Sequence, residues 1–210
     1  MKTREAYNIW ATQYDTNKNK TRDLEAKALR HELAPIPLVN CLEIGCGTGK
    51  NTVWLVQKAV QVTAVDLSEE MLARAKENVS VSNVTFMQAD ITTDWPFETE
   101  SFDLVSFSLV LEHIANLNFI FAQVAKVLKP GGHVYIGELH PFKQYAGTKA
   151  RFDTAVGRTE LECFTHHISD FVQAARRQQL ALVDLNEYFD DEDQPEIPRI
   201  LTLVLQKSLR

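Results

Sequence analysis

The segment Leu42-Glu43-Ile44-Gly45-Cys46-Gly47-Thr48-Gly49 constrains this chain more than any other stretch. Its apolar start and its three alternate glycines predict a buried strand that ends in a tight turn. Glycine permits the positive φ angles that such a turn needs, and it leaves no side chain between the backbone and a ligand. We therefore expect a small molecule to lie against this loop, with the carboxylate of Glu43 close by.

The glycine spacing separates the known types of nucleotide-binding loop. A dinucleotide loop has the spacing G-x-G-x-x-G, whereas here the third glycine comes one residue early. A P-loop is excluded as well, because the second glycine of its spacing is missing and Lys50 is followed by Asn51. An acid just ahead of the glycines would repel a phosphate. The loop therefore favours a positively charged nucleoside without phosphate.

Two further predicted strands also end in an acid. Asp66 follows the strand at 60–65, 17 residues after Gly49, and Asp90 follows the strand at 84–89. An acid at the end of the second strand of a βαβ unit is placed to accept both ribose hydroxyls. The carboxylate of Asp90 is placed to accept a hydrogen bond from an exocyclic adenine amine.

Taken together, these segments resemble the class I S-adenosylmethionine-dependent methyltransferases. The resemblance spans roughly positions 39 to 140 and keeps the family order. The matching segments are Glu43–Gly49, Val65-Asp66-Leu67-Ser68 with Met71-Leu72, Ala89-Asp90-Ile91, Phe102-Asp103-Leu104-Val105 and Leu128-Lys129-Pro130-Gly131-Gly132.

The resemblance implies S-adenosyl-L-methionine as cofactor and S-adenosyl-L-homocysteine as product. It implies that Gly45, Cys46 and Gly47 lie against the methionine part, with Glu43 reaching its amino end directly or through neighbours. The other implied cofactor contacts are Asp66 with the ribose, Leu67 and Met71 with the faces of adenine, Asp90 and Ile91 with its edge, Ser108 and Leu109 near the sulfonium, and Tyr14 as part of a lid.

The acceptor side carries two candidate catalytic histidines. His113 stands where relatives often carry a histidine that faces the pocket, and His140 follows the fifth predicted strand. A histidine can act as a general base near neutral pH. For each residue the alternative is a structural role in which the ring caps a helix or packs against its neighbours.

The order of the predicted elements indicates an α/β fold. Strands at 39–45, 60–66, 84–89, 102–107 and 133–139 alternate with helices, which favours a Rossmann-like parallel sheet with helices on both faces. The resemblance adds a hairpin near 181–189 and 200–207, which gives seven strands in the order 3-2-1-4-5-7-6 with the last strand antiparallel. Residues 1–34 read as a helical cap, 140–165 as an irregular lid insertion, and 1–210 as a single domain.

Composition limits the partners and the compartment. The net charge of −6 argues against nucleic acid, and the absence of a long apolar run argues against a membrane span. The sequence shows no cluster of converging carboxylates outside the cofactor acids, so we expect no metal. Three cysteines without a CxxC pair favour reduced thiols in the cytoplasm.

The leading interpretation is a methyltransferase that acts on a small-molecule acceptor. A non-catalytic module that binds S-adenosylmethionine and a protein methyltransferase remain open as alternatives. A nicotinamide-dependent oxidoreductase is disfavoured by the glycine spacing. The sequence identifies neither the acceptor, nor the methylated atom, nor the oligomeric state.

Overall fold

The structure is a computed structural model that describes residues 3–16, 18–148, 151–154, 157–190 and 197–209, and the side chains of these residues outside 151–160. A short 3-10 turn at Leu111–His113 lies between the strand that ends at Ser108 and the helix that begins at Leu117. The helices are α1 (Thr3–Trp10), α2 (Lys20–Leu33), α3 (Thr52–Lys58), α4 (Glu69–Asn78), α5 (Leu117–Val127), α6 (Pro141–Tyr145) and α7 (Ile168–Arg177). The strands are β1 (Asn40–Ile44), β2 (Gln61–Asp66), β3 (Val84–Gln88), β4 (Phe102–Ser108), β5 (Leu128–Leu139), β6 (Arg151–Thr154), β7 (Gly157–Glu160), β8 (Leu180–Tyr188) and β9 (Ile200–Lys207).

A seven-stranded sheet forms the centre of the fold in the order β3-β2-β1-β4-β5-β9-β8. Strands β3, β2, β1, β4 and β5 pair in parallel, and β9 runs antiparallel to both of its neighbours. Strands β6 and β7 form a separate hairpin. The predicted order 3-2-1-4-5-7-6 is therefore confirmed, with β8 and β9 as its sixth and seventh strands.

Both faces of the sheet are covered, which explains the apolar strands. Leu42 and Ile44 of β1 belong to the cluster that includes α5 and α7, whereas Cys41 belongs to the cluster with α2, α3 and α4. On β4, Val105 and Leu104 divide in the same way between the two clusters. A parallel strand that is buried on both faces reads as a nearly continuous apolar run, as β4 does.

Three predicted boundaries differ from the structure. The strand predicted at 133–139 begins earlier, at Leu128, with an irregularity between the pair Phe102–Leu128 and the pair Leu104–His133. The helical cap predicted over 1–34 is interrupted, since α1 ends at Trp10 and Tyr14 lies in the turns that follow. The segment 140–165 contains α6 and the β6–β7 hairpin, so it is more regular than expected; residues 149–150 and 155–156 lie outside the described residues.

The carboxyl group of Glu43 connects β1 to α3. Glu43 is buried, and its Oε2 accepts a hydrogen bond of 2.5 Å from the hydroxyl of Thr52 at the start of α3. Burial raises the pKa of Glu43 to about 8, and the hydrogen bond from Thr52 opposes that shift. The folded state therefore holds a proton at Glu43 that the unfolded chain loses at a much lower pH.

Ser68 connects the start of α4 to the N-terminal helix. Its hydroxyl oxygen accepts a hydrogen bond of 3.1 Å from the backbone N–H of Met71, and its O–H donates to Oδ1 of Asn8 at 2.6 Å. Arg4 and Glu69 form an ion pair beside this contact. The cap of α4 is therefore also a docking point for α1.

We predict that Ser68→Ala lowers the free energy of unfolding by about 1 kcal/mol, because the first turn of α4 loses its side-chain cap. Urea denaturation followed by circular dichroism measures this change. The variant also loses the contact with Asn8, so amide hydrogen exchange in residues 3–10 should become faster.

Asn116→Ala is the matched control, because Oδ1 of Asn116 caps α5 by accepting from the backbone N–H of Phe119. It should lower stability by a similar amount and leave exchange in residues 3–10 unchanged. Equal exchange in α1 of both variants would contradict the docking role of Ser68.

We also predict that stability falls as the pH is raised between the usual carboxyl pKa of 4.5 and about 8, because the folded state retains the Glu43 proton across this window. Glu43→Gln removes the titrating group and should make this slope shallower by about 1 kcal/mol per pH unit. Urea denaturation across this range measures the slope. Glu77→Gln, at an exposed position of α4, should keep the slope of the unsubstituted protein.

Candidate active site

A cavity of about 680 Å³ opens at the carboxyl ends of the central parallel strands. Its walls come from the loops that follow β1, β2, β3 and β4 and from the N-terminal segment. Ligand crevices of α/β sheets lie at this edge. The lining residues include Tyr7, Tyr14, Gly45, Gly47, Asp66, Leu67, Asp90, Ile91, Ser108, Leu109, Val110, His113 and Glu162.

The loop after β1 presents bare backbone to the cavity. Gly45 has φ +70° and Gly47 has φ +53°, a backbone conformation that residues with a side chain adopt only with strain. A Cβ on Gly45 would lie 2.3 Å from Cγ2 of Val110, so no side chain fits between the two loops. The N–H groups of Gly45 and Cys46 both donate to the carbonyl of Val65, at 2.8 and 3.0 Å, which fixes the loop against β2.

The carboxylate of Asp66 holds this loop at the end of β2. Its Oδ2 accepts from the backbone N–H of Gly47 at 2.9 Å, and its Oδ1 accepts from that of Ser68 at 2.8 Å. Burial raises the pKa of Asp66, and these backbone donors oppose the shift. Each carboxylate oxygen has a second lone pair, so Asp66 can accept from a ligand while it keeps both contacts.

The other end of the cavity is formed by Leu67, Asp90 and Ile91. Asp90 is exposed, and its Oδ1 accepts from the backbone N–H and the hydroxyl of Thr92, at 2.9 and 2.6 Å. These bonds hold the carboxylate at the rim. Asp66, at the end of β2, and Asp90, after β3, therefore line the same cavity.

Three of the expected cofactor residues support the wall but do not line the cavity. Glu43 lies beneath the glycine loop, bonded to Thr52. Cys46 is buried, with its sulfur 3.8 Å from the carbonyl oxygen of Gly47. Met71 is fully buried with Trp10 in the cluster that joins α1 to α4. In β1, side chains alternate between faces, which turns Glu43 away from the cavity.

Tyr14 lies over the glycine loop. Its Cε1 is 3.9 Å from the position that a Cβ on Gly47 would take, and the guanidinium carbon of Arg22 lies 3.8 Å from the centre of its ring. Tyr14 also lines a second cavity of about 460 Å³, which Arg22 and Lys50 line as well. Tyr14 follows α1 and does not belong to it, and its lid role stays a prediction.

Ser108 and Leu109 form the part of the wall that follows β4. Leu109 has φ +57°, a left-handed conformation that costs a non-glycine residue about 1 kcal/mol or more. Its N–H donates to the carbonyl of Gly137 at 2.8 Å. The buried carboxylate of Glu138 accepts from the N–H groups of Val110 and Leu111, at 2.9 and 2.8 Å, which holds the next turn of backbone.

His113 faces the cavity from the end of this turn. Its Nε2 lies 2.9 Å from the hydroxyl oxygen of Tyr7, and its Nδ1 lies 3.0 Å from the carbonyl oxygen of Glu162. Tyr7 belongs to α1, and Glu162 belongs to the segment expected to form a lid. The imidazole therefore joins three separate parts of the chain at the cavity wall.

His140 is not brought to the cavity. It is fully buried, its Nε2 lies 2.9 Å from Oε1 of Glu187, and its Nδ1 accepts from the N–H of Phe142 at the start of α6. The ring also stacks on Phe142. This placement corrects the expectation of a catalytic group, because His140 caps α6 and ties it to β8.

Sequence reasoning missed Tyr7 and Glu138 as parts of the site. Tyr7 lies in the N-terminal segment, for which the sequence predicts only a helical cap. Glu138 lies in an apolar strand, where an acid needs partners. That need was the available signal, because buried carboxylates at strand ends often hold backbone N–H groups.

Among the residues that the structure describes, no group of three or more His, Cys, Asp or Glu side chains is placed to hold a metal ion. No helix in the same residues is long and apolar enough to cross a membrane.

Comparison with known proteins adds a family. The profile of the methyltransferase domain family matches residues 42–136, which include the glycine loop, both strand-end acids and His113. The biotin biosynthesis bifunctional protein BioHC of Cellvibrio japonicus is 30% identical over 83% of this chain and 34% of its own length. The ubiquinone biosynthesis O-methyltransferase of Xanthomonas oryzae pv. oryzae is 30% identical over 69% of this chain and 64% of its own length. The chain thus spans less than two thirds of either relative.

A solved structure shows the same fold. The N-methyltransferase NodS of Bradyrhizobium japonicum, in complex with S-adenosyl-L-homocysteine, superposes with a TM-score of 0.75 over 99% of both chains at 18% identity. The family profile, the sheet order and this superposition agree. Residues 42–136 therefore match the methyltransferase domain family, and the chain has the same fold as this N-methyltransferase.

Proposed function

We propose that the protein transfers a methyl group from S-adenosyl-L-methionine to a small-molecule acceptor. One observation carries this proposal: the glycine loop, Asp66, Asp90 and His113 line a single cavity. A cofactor held by the first three features would share this cavity with the imidazole of His113. The cavity volume of about 680 Å³ is within the range of about 300–1,000 Å³ found for small-molecule sites.

The proposed cofactor contacts follow the cavity wall. The methionine part lies against Gly45 and Gly47, where no side chain intervenes, and the ribose hydroxyls donate to Asp66. The adenine lies between Leu67 and Ile91, and Asp90 accepts from its amine. Ser108 and Leu109 approach the sulfonium. Glu43, Cys46 and Met71 support these contacts from behind the wall.

The chemistry needs little from the protein beyond placement. The bound sulfonium supplies an activated methyl group, and displacement requires the nucleophile, the methyl carbon and the sulfur to lie in line. Holding two reactants in that geometry and excluding water can supply much of the rate gain. The loop at Gly45 packs closely against Val110, and Leu109 has a strained left-handed conformation. Both features fix this part of the wall, which favours such positioning.

The small-molecule acceptor is supported by the relatives and by charge. BioHC is named for biotin biosynthesis and the Xanthomonas O-methyltransferase for ubiquinone biosynthesis, and NodS is named an N-methyltransferase. The net charge of −6 disfavours nucleic acid as a partner. Cys41, Cys46 and Cys163 form no disulfide among the described residues, which supports a reducing compartment such as the cytoplasm.

Binding is tested by calorimetry and thermal shift with S-adenosylhomocysteine and, in parallel, NAD. We expect stabilisation by S-adenosylhomocysteine and none by NAD. Asp66→Ala should weaken S-adenosylhomocysteine binding about 10- to 100-fold, because charged hydrogen bonds to the ribose hydroxyls are lost.

Asp184→Ala, at an exposed acid of β8, is the control and should bind S-adenosylhomocysteine normally. Because Asp66 also holds Gly47 and Ser68, each thermal shift is referred to the melting temperature of the same variant without ligand. An unchanged affinity in Asp66→Ala would remove this residue from the cofactor site.

Turnover needs a separate measurement. We expect release of S-adenosylhomocysteine when the protein is incubated with S-adenosylmethionine and a library of small hydroxyl, amine and thiol acceptors. Tight cofactor binding without release from any acceptor would favour the non-catalytic binding module. Release only with a protein extract treated to remove small molecules would favour a protein methyltransferase.

A further inference from the structure

The pair formed by Tyr7 and His113 has a defined hydrogen-bond direction. Nδ1 of His113 faces the carbonyl oxygen of Glu162, which can only accept, so Nδ1 carries the proton in the neutral ring. Nε2 is then an unprotonated acceptor, and the hydroxyl of Tyr7 donates to it over 2.9 Å. The phenolic oxygen keeps lone pairs for another donor.

Both side chains line the cavity that also contains Asp66 and Asp90, the acids that we assign to the nucleoside. The ring of Tyr7 is fixed by stacking on Trp10, and it meets the imidazole edge-on at 5.5 Å between ring centres. Oε1 of the buried Glu112 lies 3.9 Å from Nε2 of His113. A positive charge formed on the imidazole would therefore have a carboxyl neighbour.

Tyr7 keeps its proton until a partner takes it. Burial, together with the neighbouring Tyr14 and Glu112, raises the pKa of Tyr7 well above its usual value, which excludes a resting tyrosinate. A neutral hydroxyl between a basic nitrogen and an open cavity can pass a proton in one direction, from the cavity to the nitrogen. The geometry thus describes a relay with an acceptor at its inner end.

We propose that Tyr7 and His113 remove the proton from a hydroxyl group of the acceptor, so that the substrate class is a weakly acidic alcohol or phenol. The inference rests on the proposed methyltransferase function and names the acceptor of the same cavity. It also makes Tyr7 a catalytic residue, supplied by the N-terminal helix.

The step balances in atoms and charge. The acceptor oxygen forms a bond to the methyl carbon as the bond between carbon and sulfur breaks. The electron pair of the broken bond returns to sulfur, which becomes a neutral thioether. The acceptor proton moves to the oxygen of Tyr7 while the Tyr7 proton moves to Nε2 of His113. The positive charge of the sulfonium ends on the imidazolium, which later releases a proton to water.

A proton relay is useful for only some acceptors. A carboxylate is already an anion at neutral pH, and a thiol is far more acidic than an alcohol, so neither depends on a base. A weakly acidic hydroxyl is a poor nucleophile until its proton leaves, so it gains most from a base within hydrogen-bond reach. Among hydroxyl, thiol and carboxylate acceptors, the relay therefore favours a hydroxyl and hence O-methylation.

The test uses the full chain, S-adenosylmethionine and a series of para-substituted phenols from 4-methoxyphenol to 4-nitrophenol. Tyr7→Phe removes the hydroxyl and keeps the ring that stacks on Trp10. We expect kcat with 4-methoxyphenol to fall about 100-fold, the usual contribution of a general base. Turnover of 4-nitrophenol, which ionises without help near neutral pH, should change little, and so should affinity for S-adenosylhomocysteine.

The chain offers a matched control in Tyr145→Phe. The hydroxyl of Tyr145 also bonds a histidine nitrogen, Nδ1 of His167 at 2.6 Å, but the pair does not line the cavity. This variant should turn over every phenol at the same rate as the protein without the substitution. His113→Gln should repeat the selective loss seen in Tyr7→Phe.

Two results would overturn the relay: product release from no hydroxyl acceptor, or equal loss in Tyr7→Phe for weakly acidic and ionised phenols. The proposed function is judged separately. It fails if the protein binds no S-adenosylhomocysteine or releases none from any acceptor class, whereas turnover of amines or thiols alone removes only the relay.

Discussion

The carboxylate of Asp66 is the contact on which the rest of the site depends. One oxygen holds the N–H of Gly47 and the other holds that of Ser68, so a single side chain fixes the loop after β1 and the start of α4. Ser68 in turn bonds Asn8 of α1. The position of the N-terminal helix over the cavity therefore follows from an acid at the end of β2. A ligand that donates to Asp66 would meet a carboxylate already oriented for it.

The cavity has walls from both the edge of the sheet and the N-terminal segment. The sheet edge supplies backbone, acids and His113, while α1 and the turns after it supply Tyr7 and Tyr14. Glu138 connects the two halves of this arrangement, because it holds the backbone turn that presents His113 to Tyr7. Under the proposed function, chemistry at the acceptor end requires α1 to be docked, because Tyr7 belongs to that helix.

The sequence predicted the sheet well and the acceptor end poorly, for a physical reason. Strand-end acids and alternate glycines are local patterns, so Asp66, Asp90 and Gly45 could be placed from neighbouring residues. The pairing of Tyr7 with His113 joins positions 106 residues apart, and no local pattern records it. His140 shows the opposite failure. It has the right place in the sequence, at the end of β5, but burial and a bond to Glu187 give it a structural role.

The sequence disfavours a phosphate at the glycine loop for two reasons, which Glu43 separates. One reason is the charge of Glu43, and the other is the spacing of the glycines. Burial raises the pKa of Glu43 to about 8, so its charge is suppressed at neutral pH and its repulsion of a phosphate is weak. The shape of the glycine loop does not depend on this charge, since a Cβ on Gly45 would lie only 2.3 Å from Cγ2 of Val110. The choice of ligand at this loop therefore depends on backbone shape and on Asp66, and Glu43 contributes by holding β1 to α3.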